Sequence, residues 1–120
     1  MPGDDFSGRL AAVRQRFASG LADKIAATWA AIPTLTADHA GAVAAVEESY
    51  RRIHGICGVG ASVGFVTTGQ AAREVEAVLL PPFRAGRGLN VNEITRLERL
   101  LAALSSAAQA ELQTLPNNQG

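Results

Sequence analysis

The chain has 120 residues, 48% of them apolar and 18% charged, with a formal net charge of zero. That is enough for one domain with one core. The neutral balance argues against a general nucleic-acid binder, and a single cysteine leaves no internal disulfide and no cysteine-built metal site.

The start, Met1-Pro2-Gly3-Asp4-Asp5-Phe6, is acidic and lacks an apolar core segment, so no signal peptide is expected. No apolar run reaches the roughly 18 residues of a membrane span, so no membrane association is expected and the cytoplasm is the expected compartment. Phe6, Leu10, Val13, Phe17, Leu21, Ile25, Trp29 and Ile32 recur every three or four residues and form one helical stripe. Gly20 is placed to bend or divide this stripe, with Ser19 as a cap for the second piece. Pro33 is expected to end it.

A second stripe follows, with Thr36 or Asp38 as its cap, and predicts a helix over 37–62. Val43, Val46, Tyr50, Ile53 and Cys57 share its apolar side. Gly64-Phe65-Val66 is a short connection, and Thr67-x-x-Gln70 matches a capping box. The helix after it carries Ala71, Ala72, Val75, Val78 and Leu79 and is expected to stop before Pro81-Pro82. A loop over 81–90 would be the longest and most mobile. Asn90 with Glu93 marks a further helix start, and Ile94, Leu97, Leu100, Leu101, Leu104, Ala108 and Leu112 form its stripe. Residues 116–120 read as a disordered tail. Residues 1–120 thus form a single all-α domain. Its expected architecture is an up-and-down antiparallel four-helix bundle with an additional N-terminal helical segment.

Chemistry concentrates in His54-Gly55-Ile56-Cys57-Gly58. By residue type alone, His54 reads as a surface histidine without a task. Around it, however, stand Gly55, Gly58, Gly60 and Gly64, and glycine inside a helix costs about 1 kcal/mol against alanine. Gly58 lies one turn from His54 on the same side, which leaves bare space beside the imidazole. At about 100° per residue, Cys57 points to the core side and His54 to the border. A neutral imidazole is a good nucleophile near pH 7. Space beside a nucleophile is what a docking partner requires.

Competing readings are weaker. Gly58-Val59-Gly60 with Gly64 lacks the strand before it that a nucleotide-binding loop needs. His39 and His54 do not stand on adjacent turns, so no metal site is expected. His39 reads as a solvated first-turn residue, Trp29 and Tyr50 as packing, and Arg84 and Arg87 as loop solvation. Arg51-Arg52 reads as a solvated pair, with Arg51 within reach of a phosphate or an acidic partner.

His54-x-Ile56-x-Gly58, Gly64 ten residues after the histidine, and Val75-Glu76 in the next helix resemble the histidine-containing phosphotransfer (HPt) domain family. The resemblance covers nearly the whole helical plan. It implies a four-helix bundle that relays a phosphoryl group between receiver-domain aspartates in a two-component phosphorelay. It implies that His54 is phosphorylated, that Gly58 leaves room for the receiver, and that Glu76 contacts the histidine. Receiver domains of response regulators and a hybrid histidine kinase are the implied partners. Magnesium would come with the receiver, so the chain needs no cofactor of its own. Nothing in it could bind ATP, which makes it a phosphocarrier and not a kinase. Cys57 stands where the family usually has lysine, and Val59 where it has serine or alanine. Two alternatives remain: a degenerate bundle of this kind that binds a receiver or kinase without carrying phosphate, and a structural helical interaction module.

Overall fold

The computed structural model describes residues 2–114, with side chains from residue 8 onward. Among the described residues there are four helices: α1 (Pro2–Leu35), α2 (Ala42–Ser62), α3 (Val66–Ala85) and α4 (Val91–Gln113). Each packs against the two beside it, α1 on α2, α2 on α3, α3 on α4 and α4 on α1, and the backbones of diagonal pairs stay farther apart. Short connections make neighbours antiparallel, so the architecture is the expected up-and-down bundle. The apolar stripes meet in one core, where Leu21, Leu35, Ile53, Ile56, Leu79, Leu97, Leu101 and Leu104 are almost fully buried. No helix among the described residues is long and apolar enough to cross a membrane.

Among the described residues the expected additional N-terminal helical segment is not a separate element. α1 is one helix of 34 residues, and its first turns are simply its own extension. Gly20 does not divide it, because Phe17, Ala18 and Leu21 are buried on both sides of that glycine and hold the backbone helical. Ser19 donates to the Arg16 carbonyl at 3.1 Å and caps nothing. Arg14 marks where the bundle ends: its Nε donates to the Val63 carbonyl at 3.0 Å, at the turn between α2 and α3. Earlier residues of α1 run past that turn, which accounts for a long axis of 57 Å. The side chain of Phe6 and the tail at 116–120 lie outside the described residues.

None of the three prolines stops a helix where expected. Pro33 lies inside α1, and Pro81 and Pro82 lie inside α3. Each removes a backbone donor and with it one bond to the carbonyl four residues earlier, and all stand near the C-terminal ends of their helices, so little helix follows them. Pro82 is itself buried, and Phe83 packs on Tyr50, so continuing α3 gains contacts that stopping would forfeit. The helix ends instead at Gly86, whose left-handed φ of 65° suits glycine. The 81–90 loop shrinks accordingly to Gly86–Asn90. The longest connection is Thr36–Gly41.

Helix starts also differ from expectation in two of three cases. α2 begins at Ala42, not 37, and neither Thr36 nor Asp38 caps it. His39 Nδ1 instead accepts from the Gly41 backbone N–H at 2.9 Å and tightens the approach. The Thr67 capping box does not form. The Glu111 carboxylate of α4 takes its place, accepting from the N–H of Thr68 at 2.6 Å and of Thr67 at 3.3 Å. Asn90 and Glu93 do form the expected capping box, with both reciprocal bonds present.

At the other end the two connections are stitched together. Leu89 N–H donates to the Leu35 carbonyl at 2.8 Å, and Ala37 N–H donates to the Leu89 carbonyl at 3.0 Å. Gly88 allows this approach, since a β-carbon there would stand 2.7 Å from the Ala37 Cα and 2.8 Å from the Leu35 carbonyl oxygen.

Candidate functional site

α2 supplies His54, and α3 supplies Glu76. Both helices are amphipathic, and their apolar faces fix which side chains stand at the rim of the seam. Ile53, Ile56 and Cys57 point inward and are nearly fully buried. His54, between them, is carried outward, with 64% of its side chain exposed. On α3, Val75, Val78 and Leu79 are buried, which puts Glu76 at the rim, where 21% of its side chain is exposed.

The seam is narrow because glycines face it. A β-carbon on Gly60 would come within 3.5 Å of the Gly69 Cα, and one on Gly69 would come within 3.4 Å of the Ala61 backbone nitrogen. This closeness lets the Glu76 side chain reach across. His54 Nδ1 and Glu76 Oε2 are hydrogen-bonded. A carboxylate accepts only, so Nδ1 carries the proton and the Nε2 lone pair faces outward in the neutral ring.

Tyr50, one turn before His54, stacks on the imidazole with centroids 5.6 Å apart and planes 15° apart. Phe83 of α3 stacks on Tyr50 in turn, with centroids 4.4 Å apart. The imidazole is thus held at Nδ1 and along one face, and is open elsewhere. The opening is real: a β-carbon on Gly55 or Gly58 would meet no neighbouring group within 4 Å.

Cys57 is a core residue, only 5% exposed, as the angular reading expects. Its thiol reaches Glu76 Oε1 at 3.8 Å. Burial first, and then the Glu76 carboxylate, push the thiol up from 9.0 to about 11, with Arg73 pulling the other way. At neutral pH it is therefore a protonated donor.

The expected site residues divide. His54, Glu76 and the bare Gly58 come together. Arg51 does not join them: 70% exposed, it pairs with Glu47 on its own helix at 3.5 Å. Exposed Arg73, one turn before Glu76, is the cation whose field reaches the Cys57 thiol. Its spacing from Glu76 was a usable signal. The stacking role of Tyr50 is half legible, from its place four residues before His54, but Phe83 is brought in only by the helix that continues through Pro81-Pro82. Among the described residues, no group of three or more His, Cys, Asp or Glu is placed to hold a metal ion. We find no match to the chain among known protein families, curated proteins or solved structures.

Proposed function

We propose that the protein is a cytoplasmic histidine phosphotransfer protein, a phosphocarrier that relays a phosphoryl group between receiver-domain aspartates through His54. One observation carries the reading: a solvent-facing imidazole whose Nδ1 is tied to a carboxylate, beside glycines that leave the approach to Nε2 clear. The Nε2 lone pair would attack the phosphorus of a receiver's aspartyl phosphate. The P–O bond to the aspartate breaks, and its electron pair returns to that carboxylate. Positive charge then develops on the ring, and the Glu76 carboxylate lies against the nitrogen that shares it. The reverse step would deliver the group to a second receiver. Gly58 would leave room for the receiver, and magnesium would come with that partner. Arg51, committed to Glu47, remains on the exposed face of α2 for contact with an acidic receiver surface.

The buried thiol at position 57 supports a second reading, because it puts no cation beside the phosphate. In that reading the bundle binds a receiver or kinase without carrying phosphate.

The test is incubation with phosphorylated receiver domains from the same genome. Acid-labile, base-stable phosphate should appear on the wild type and on His39→Gln, and be absent from His54→Gln. Gly58→Gln should fold and accept phosphate much more slowly. Labelling of His54→Gln would show the assigned acceptor to be wrong, and receiver binding without any label would select the second reading.

A further inference from the structure

The two oxygens of Glu76 are engaged from α2 at positions one helical turn apart. His54 Nδ1 meets Oε2, and the Cys57 sulfur lies 3.8 Å from Oε1. The carboxylate is therefore forked between two donors of the same helix. We propose that Cys57 is a positioning residue for His54, acting through Glu76: its S–H holds the carboxylate in the orientation that keeps the proton on Nδ1 and the lone pair on Nε2.

A glutamate has three rotatable side-chain bonds, and at the rim of a seam it has room to turn toward water. Something must hold it if it is to hold the histidine. No arginine or lysine pairs with Glu76 among the described residues, where Arg51, Arg52 and Arg87 each bond to other carboxylates. Cys57 is the group that reaches its second oxygen. The thiol suits the task because it is buried and stays protonated through the neutral range, so it offers a donor without adding charge. A lysine at this position would instead compete for Glu76 as a cation and would weaken the carboxylate's hold on Nδ1. Seen this way, the departure at position 57 exchanges a direct charge on the phosphate for tighter control of the imidazole. The functional importance of the inference rests on His54 being the phosphate acceptor. The contact itself does not.

The experiment has two readouts. The chain has a single cysteine, so its S–H stretch can be read by infrared spectroscopy without interference from another thiol. That stretch should lie at lower frequency in the wild type than in Glu76→Ala, where the acceptor is gone. The tautomer of His54, read by nitrogen-15 NMR, should be Nδ1–H in the wild type. Cys57→Ala should move the tautomer ratio toward Nε2–H by about two- to fivefold, the range a weak hydrogen bond commands. The same substitution in a Glu76→Ala background should add nothing. An unshifted S–H stretch between wild type and Glu76→Ala would overturn the proposal. So would an equal effect of Cys57→Ala in both backgrounds, which would indicate packing alone. Wild-type protein that takes no phosphate from phosphoramidate would end the reading of His54 as an acceptor, while these two spectroscopic results still decide the role of Cys57.

Discussion

Two of the bundle's four seams are built in opposite ways. Between α2 and α3, glycines 60 and 69 bring the backbones close, and side chains cross directly. Between α1 and α4 there is an open apolar groove of about 370 Å³, lined by Ala22, Ile25, Ala26, Trp29, Ala108 and Leu112. Its polar link is Trp29 Nε1 donating to Ser105 Oγ at 3.4 Å, near the limit for such a bond. Both seams join amphipathic helices of ordinary composition. The difference lies in residue size at the facing positions. Glycine against backbone gives a fixed distance, whereas alanine against a half-exposed tryptophan leaves a trough. The histidine and its carboxylate stand on the tight seam, where the helices that carry them are held close by backbone contact at Gly60 and Gly69.

Adding bulk should break the tight seam most severely. Gly69→Leu forces a branched side chain toward Ala61 and the Cys57 carbonyl. We expect a loss of about 2–3 kcal/mol in chemical denaturation even after the gain in helix propensity. Wild-type stability in this variant would show that the seam is adjustable.

The next effect concerns the cap that holds α3 from α4. Glu111→Ala should cost about 1–2 kcal/mol and speed hydrogen exchange at the Thr67 and Thr68 amides. Unchanged protection at those amides would mean the carboxylate is not their partner in solution.

Alkaline pH should loosen the tight seam selectively. The folded protein holds the Cys57 thiol from 9.0 up to about 11. A raised folded value means the folded state retains the proton more tightly than the unfolded chain. The associated stability is therefore complete below pH 9.0 and is lost as pH climbs from 9.0 through about 11. The loss should be on the order of 1 kcal/mol, discounted for water that still reaches the sulfur. It is read as the difference between wild type and Cys57→Ala, which cancels the other groups that titrate there. Parallel stability profiles for the two proteins would refute it.

The smallest effect should come from filling the loose seam. Ala26→Leu has a groove to lie in, so it should be neutral or stabilising by about 0.5 kcal/mol. A loss comparable to that of Gly69→Leu would erase the contrast between the seams.

Four helices were legible because their stripes keep a 3.6-residue period over several turns, and that signal survives single misplaced residues. The Asn90–Glu93 cap was legible for the opposite reason. It is entirely local, and both partners lie within one turn. The Thr67 box has the same local pattern but loses to Glu111, a partner 43 residues from Thr68 that no local pattern names. The prolines mislead similarly. Their cost is local and was counted, whereas the packing of Pro82 and Phe83 that outweighs it is tertiary. For the site, His54 and the bare Gly58 could be placed by helical geometry, and Glu76 by resemblance. The commitment of Arg51 to Glu47 was readable from its i, i+4 spacing. The thiol contact to Glu76 was not, because it depends on how closely two helices approach.

The hydrogen bonds between Leu35, Ala37 and Leu89 have a consequence for motion. Followed as a path, the chain leaves α1 at Leu35, runs out along α2, returns along α3, and arrives within a hydrogen bond of its departure point. That excursion carries both His54 and Glu76. It is pinned at its mouth by the stitched connections. Its tip is pinned by Arg14 on the Val63 carbonyl and by Glu111 on the start of α3. Packed helices commonly move by sliding along one another. Here the excursion is anchored at both extremities, so a shift of α2 against α3 would strain or break hydrogen bonds at one of them. These anchors oppose shear between the two helices, and with it any change in how the imidazole and the carboxylate face each other.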